Sequence, residues 1–235
     1  MGLLKHIKIF SQGVADLLYP ARCHLCGADL TPAERFVCIP CVESLPRTGY
    51  HRSFRNPMES RFAGQFPFVT ATGHFFYSRD SSLAELIQDM KYRNFPSIGN
   101  RLGEIAGEEL FLTGFLSEID CVVPLPMHYL KKAKRGYNQT DRIAEGICKA
   151  SGLELIDALK MTRQRKTQTS LTATQRVNNA TDLFAPRPKI DLNGRGVLLV
   201  DDICTTGATM GSAAKALTDA FPDIRLYLFA LGVTF

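Results

Sequence analysis

The plainest chemistry in the sequence lies at Asp201 and Asp202, followed closely by Thr205, Thr206, Gly207, Ala208 and Thr209. Adjacent carboxylates would repel a phosphate but accept hydrogen bonds from sugar hydroxyls. The small residues behind them suit a phosphate: Gly207 and Ala208 let an anion approach the backbone, and the threonine hydroxyls add donors. A capped helix alone needs one threonine, so the run exceeds what capping requires. The ligand that satisfies both halves is a ribose 5-phosphate unit. A second group is Cys23, Cys26, Cys38 and Cys41, two CxxC pairs that can present four thiolates to one tetrahedral Zn²⁺. A redox reading needs one CxxC at a helix start in a thioredoxin-like unit, and two pairs argue against it. His24 falls between ligand positions and is expected to be exposed rather than a ligand.

These residues need elements to hold them. Val197–Val200 is an unbroken apolar run of β-formers, read as a fully buried strand of a parallel sheet with the acidic pair where it ends. Ala213, Ala214, Ala216, Leu217 and Ala220 follow at helical spacing. Strand, turn and helix in that order put the turn at the carboxyl end of the sheet, where open α/β sheets bind ligands, and a helix N-terminus favours phosphate. Cys121–Pro126 reads as a second buried strand. It runs into a basic, turn-rich loop with Lys131, Lys132, Lys134 and Arg135, on the same edge of the sheet. A helix is expected from Asn138, with Ile143, Ala144, Ile147 and Cys148 inward and Asp141, Glu145 and Lys149 paired at i,i+4.

Further elements follow from the same patterns. Leu3 to Leu17 has the spacing of an amphipathic helix. Residues 44–68 are rich in Pro, Gly and Arg and read as irregular, with 51–68 a linker. Val69–Ser78 is a strand candidate. Leu83 to Met90 marks a helix that ends near Lys91, Ser97 is placed as the cap of the next helix, Leu153–Leu159 is a short strand, and Arg225–Gly232 is the last strand. The segment 163–179 is polar and basic, without an apolar period, and is too long for an idle connection. The domains are therefore drawn as 1–50, a helix and a four-cysteine ribbon; 51–68, a linker; and 69–235, an α/β domain.

The chain has 235 residues, 45% of them hydrophobic, and a formal charge of +5. That length supports one α/β core and a small extra module. The modest positive excess suits phosphorylated ligands and does not by itself argue for nucleic acid. No secretory signal or bilayer-length apolar run is present, so the expected compartment is the cytoplasm and no membrane partner is expected. Cys121, Cys148 and Cys204 fall in or beside apolar elements and read as small hydrophobes.

The Val197–Thr209 segment resembles the phosphoribosyl diphosphate (PRPP) motif of type I phosphoribosyltransferases. The chain as a whole resembles the ComF family, in which a four-cysteine zinc ribbon precedes such a domain. The resemblance is carried by Leu18-Tyr19-Pro20 leading into the CxxC pairs, by Val123-Pro124-Leu125-Pro126, by Arg135-Gly136-Tyr137-Asn138-Gln139, by Thr167-Gln168-Thr169 with Leu171, Arg176 and Asn179, and by Asp201-Asp202. Tyr137 stands where Phe is commoner. The resemblance implies a type I phosphoribosyltransferase-like parallel sheet flanked by helices. It implies that Pro124 and Leu125, in the Val123–Met127 segment, meet pyrophosphate, and that residues 163–179 close over the site. Asp201 and Asp202 would hold the ribose hydroxyls, and Thr205, Thr206, Gly207, Ala208 and Thr209 the 5′-phosphate. Arg163 and Lys166, with Arg165 and Arg176, would neutralise the leaving group.

The expected cofactors are structural Zn²⁺ on Cys23, Cys26, Cys38 and Cys41, and Mg²⁺ carried with PRPP. The expected activity is transfer of ribose 5-phosphate to an unidentified nitrogen nucleophile. The alternative is a binding protein of the same fold, without turnover, that takes single-stranded DNA through the ribbon and the basic segments around 131–135 and 161–166. Self-association into a homo-oligomer is left open, no general base is visible, and the N-terminal cysteine of a glutamine amidotransferase is absent, since Gly2 follows Met1.

Overall fold

The structure is a computed structural model that describes residues 21–162 and 183–235. The expected helix at 3–18 and the expected lid at 163–179 lie outside those residues. The chain divides into two compact units at Pro46/Arg47.

In the first unit the chain turns sharply after Cys23, where the Gly27 N–H donates to the Cys23 carbonyl at 2.9 Å. Short antiparallel bridges link Arg22 to Asp29 and Arg35 to Val37. Helix α1 (Ile39–Glu43) starts at Cys38 with a proline in its first turn, where the missing N–H costs nothing. Val37, Val42 and Leu45 are the buried aliphatic side chains of this unit among the described residues.

The second unit begins where a linker was expected. Residues 51–68 instead carry structure: a 3-10 turn (Tyr50–Arg52) and helix α2 (Pro57–Ser60). The Asn56 side chain caps α2 by accepting from the N–H groups of Met58 and Glu59 at 2.9 and 3.1 Å. Met58 and Phe62 are fully buried, and Phe62, Phe66 and Phe68 form an aromatic cluster. Proline and glycine mark the turns correctly, but the apolar residues between them are anchors.

Strand β1 (Thr70–Phe76) leads to helix α3 (Ser82–Tyr92), capped by Ser81, and then to α4 (Pro96–Leu112). The cap of α4 is Phe95 rather than Ser97, because Pro96 takes the first helical position. Strand β2 (Cys121–Pro124), helices α5 (Tyr129–Arg135) and α6 (Gln139–Ser151), and short strands β3 (Glu154–Leu155), β4 (Leu159–Met161) and β5 (Phe184–Pro186) follow. The chain closes with β6 (Gly196–Cys204), helix α7 (Ala208–Ala220) and β7 (Arg225–Val233).

Five strands form one parallel sheet in the order β1-β7-β6-β2-β3, while β4 and β5 pair separately and antiparallel. Val197, Leu199, Val123 and Leu228 join Met210, Ala213, Ala214 and Leu217 of α7 in one apolar cluster. The alternate residues Val122, Leu198, Val200 and Phe229 are equally buried and face the other side of the sheet, where α4 and α6 pack. Those two helices approach so closely that a Cβ on Gly103 would lie 2.1 Å from the Ile143 carbonyl oxygen.

Candidate functional site

The sheet register decides where the acidic pair stands. Pro124, the last residue of β2, is opposite Val200, while β6 continues past it through Asp201 and Asp202 to Cys204. The expected strand end at Val200 is thus too early. Strand β7 extends to Val233, so its ladder with β6 carries the acidic pair. Asp201 is therefore held at the carboxyl edge by a strand on one side only, beside the β2 loop.

The two carboxylates have different partners. Asp202 is 7% exposed. Its Oδ2 receives the Lys91 ammonium at 2.5 Å and the Gln139 side-chain amide at 3.1 Å. Its Oδ1 accepts from the Ile203 N–H at 2.7 Å. Burial works to raise Asp202, but the Lys91 charge and these hydrogen bonds outweigh it and hold the carboxyl below its ordinary range. Asp201 Oδ1 accepts from the Asp202 N–H at 2.8 Å. Burial, joined by the neighbouring Asp202 charge, pushes Asp201 well above the ordinary range. The pair thus holds one fixed charge and one carboxyl that resists ionising.

Gln139 reaches Asp202 because the Arg135–Gln139 segment is anchored at each position. Helix α5 ends on Gly136 in the left-handed conformation, φ 85°. Tyr137 is buried and donates its hydroxyl to the Met90 carbonyl at the end of α3. Asn138 donates to the Leu125 carbonyl at 2.9 Å and accepts from the Thr140 N–H, capping α6 at the expected position. Arg135 donates to the Gln139 side chain. One short segment therefore ties the β2 loop, the end of α3 and the acidic pair together.

The turn after β6 is equally constrained. Thr205, Thr206, Ala208 and Thr209 are exposed, whereas Gly207 is buried with φ 80°. A side chain there would be strained, and its Cβ would lie 2.8 Å from the Phe62 ring. Arg61, adjacent to Phe62, donates to the carbonyls of Cys204, Thr205 and Thr234. Within the turn, the Ala208 N–H donates to the Thr206 hydroxyl at 3.4 Å and the Gly207 N–H meets the Cys204 sulfur. Arg61 and Lys91 are the site residues that the sequence analysis did not single out. Neither sits in a motif, and only the fold brings them to residues more than a hundred positions away.

The remaining expected residues fall into place unevenly. Pro124 has no N–H, the Leu125 N–H donates to the Val200 carbonyl, and the Leu125 carbonyl accepts from Asn138. The backbone N–H and carbonyl of Leu125 are thus both engaged within the protein. Lys131, Lys132 and Lys134 are exposed on α5, so the expected basic loop is a short helix. The i,i+4 pairing expected along α6 is replaced by other partners: Asp141 with Lys132, Glu145 with Arg142, and Lys149 with Glu104 of the close-packed α4. Arg163 and Lys166 lie outside the described residues.

In the first unit, the sulfurs of Cys23, Cys26, Cys38 and Cys41 all lie within 4.8 Å of one another. All are free thiols, with Cys26 Sγ 3.7 Å from Cys38 Sγ. Burial opposes ionisation of Cys23, but N–H groups of Cys26, Cys38 and Leu25 bring its thiol down to about 6. Burial and the neighbouring thiols push Cys41 up. Four sulfurs this close cannot all ionise without a cation, and the donor set fits a metal such as Zn²⁺.

A parallel sheet with an acidic pair at its carboxyl edge and a small-residue turn leading into a helix is the architecture of a phosphoribosyl transferase domain, and residues 124–231 match that family. The relatives extend the match across both units. Competence protein F of Haemophilus influenzae is 26% identical over 211 residues, 83% of this chain and 90% of its own. DNA utilization protein YhgH of Escherichia coli O157:H7 is 27% identical over 217 residues, 86% and 92% of the two chains. Competence protein ComFC of Streptococcus pneumoniae is 32% identical over 98 residues, 42% and 41%. The chain is a homologue of these proteins, with a phosphoribosyl transferase domain and an N-terminal cysteine cluster that matches a zinc ribbon, as the ComF resemblance implied. Among the described residues no helix is long and apolar enough to cross a membrane.

Proposed function

We propose that the protein binds PRPP with Mg²⁺ and transfers ribose 5-phosphate to a nitrogen nucleophile, releasing pyrophosphate. The observation that carries this is the union, at the end of one strand, of a carboxylate pair with the exposed Thr205–Thr209 turn at the N-terminus of α7. The α7 N–H groups and threonine hydroxyls take the 5′-phosphate, and the Asp201–Asp202 pair accepts from the 2′ and 3′ hydroxyls. In the reaction the C1–O bond to pyrophosphate breaks with its electrons, the nitrogen lone pair bonds to C1, and the nitrogen gives up a proton. The sugar passes through an oxocarbenium-like centre, as in glycoside cleavage. Mg²⁺ carried with PRPP would supply charge neutralisation for the leaving pyrophosphate. It is not assigned to the carboxylate pair, because Lys91 already neutralises Asp202. Arg163 and Lys166 are assigned to the leaving pyrophosphate.

Calorimetry with PRPP and Mg²⁺, followed by pyrophosphate release across candidate bases and amines, tests the proposal. Absence of PRPP binding overturns it. Binding without release against any acceptor supports the coarser reading, a PRPP-binding protein without turnover. A second reading, binding of single-stranded DNA, is favoured by one surface: α5 exposes Lys131, Lys132 and Lys134 beside the exposed rings and chains of Tyr129 and Leu130. The names of the relatives, competence and DNA utilization, point the same way. Binding of a labelled oligonucleotide that weakens steeply with salt, and falls when the three lysines are replaced, would support it.

A further inference from the structure

Lys91 ends a helix outside the matched domain segment, yet its ammonium lies on the acidic pair. Its side chain is 18% exposed and that of Asp202 is 10% exposed, so this is a largely desolvated contact rather than a surface ion pair. Every element facing Asp202 contributes: Lys91 from α3, Gln139 from α6, held in turn by Arg135 of α5, and Asp201 with the Ile203 N–H from β6 itself. Lys91 is the only cation in direct contact with the Asp202 carboxylate among the described residues. Asp202 Oδ2 is taken by two donors. What the pair offers a ligand is then the remaining capacity of Asp202 Oδ1 and of the Asp201 carboxyl, which is itself hydrogen-bonded to the Asp202 side chain.

We infer that Lys91 is a positioning residue for a vicinal-diol site: it clamps one oxygen of Asp202 and so leaves the acidic pair with a single arrangement of acceptors for two neighbouring sugar hydroxyls. The inference rests on the PRPP-binding reading. Two carboxylates this close compete for one proton when no cation stands by them. Lys91 tips that competition toward charge on Asp202, consistent with the opposite directions in which the two carboxyls are held. Without Lys91, Asp202 loses the charge that holds it ionised, and a protonated carboxyl is a poorer acceptor for a hydroxyl.

The test is calorimetry of PRPP and of inorganic phosphate, between pH 5.5 and 8.5, on the wild type, Lys91→Met and Lys91→Arg. For Lys91→Met, PRPP affinity should fall roughly tenfold near pH 6.5 and partly recover toward pH 8.5, because its acid limb moves up. Inorganic phosphate, which carries no diol, should bind all three proteins alike. Lys91→Arg should follow the wild type. A folded Lys91→Met with the wild-type profile overturns the inference. A wild type that binds no PRPP overturns the functional reading instead. Carboxyl ¹³C shifts on the unsubstituted protein give the answer without a variant. Asp202 titrating below the ordinary value of about 3.9, with Asp201 above it, supports the inference, and the reverse order overturns it.

Discussion

At the scale of the residue, charge is governed by what burial leaves available. Asp201 is bonded to the backbone and side chain of Asp202, while Asp202 is also tied to Lys91, Gln139 and the Ile203 N–H. Asp201→Asn should weaken PRPP binding by up to about tenfold with little change in melting, since Asp201 resists ionising and one neutral hydrogen bond is worth roughly 0.5–1.5 kcal/mol. Asp202→Asn should do both: weaken binding, and destabilise the fold by on the order of 3 kcal/mol by stranding Lys91. Calorimetry paired with urea melts separates the two. Equal melts would mean that Lys91 reaches water at no cost. A second buried group gives a pH dependence. His74 is 2% exposed and takes a hydrogen bond from Arg47 at 3.1 Å. Arginine can only donate, so Nε2 carries the lone pair and the ring is neutral. Burial first, then the charges of Arg47 and His51, brings His74 from 6.5 down to about 3. Its folded value lies below its unfolded one. The unfolded chain therefore takes up a proton that the folded chain refuses, and stability is lost as pH falls from about 6.5 toward 3. Urea melts at pH 4.5 and 7 should show this loss, up to about 1.4 kcal/mol per pH unit from this group, and His74→Gln should flatten it. Identical slopes in both proteins would remove His74 as the cause.

At the scale of the element, the turn at 205–207 is built by its neighbours as much as by its own sequence. Phe62 fills the space under Gly207, and Arg61 gathers three carbonyls around the turn and the C-terminal end of the chain. Arg61→Ala removes all of these donors. The variant should lose about tenfold in affinity for PRPP, and it should melt earlier by on the order of 2 kcal/mol, as partly buried carbonyls lose charged hydrogen bonds. Unchanged affinity in a destabilised variant would make Arg61 a purely structural clamp. The same segment shows why a linker was expected there. Pro57, Gly64 and Pro67 are genuine turn formers, but no periodicity of 2 or 3.6 advertises Met58 and Phe62 as core, because a one-turn helix is too short to show one.

At the scale of the molecule, the two units carry unequal cores. Among the described residues the first has Val37, Val42 and Leu45 buried with the cysteines, a small apolar cluster for which a bound metal would add cross-linking. The second has a sheet buried on both faces. We expect one zinc per chain, held by Cys23, Cys26, Cys38 and Cys41. Chelation should expose the first unit to proteolysis while the second keeps its cooperative melt. Metal analysis of protein purified without chelator, and limited proteolysis before and after chelation, check this. Protein free of zinc, or a first unit that resists protease without it, would refute a structural metal.

The strand, turn and helix around Asp201, the four-cysteine spacing and the Asn138 cap were legible in the sequence because each is local: propensity, period and motif all act within a dozen or so residues. What the tertiary structure decided is which distant groups meet them. Strand β6 runs on through the acidic pair because β7 continues beside it. Lys149 answers Glu104 rather than Glu145 because α4 lies against α6 through Gly103 and Gly146. Lys91 and Arg61 reach the site only once the sheet and its covering segments have closed. Those contacts depend on packing between elements far apart along the chain, and no local pattern carries that information.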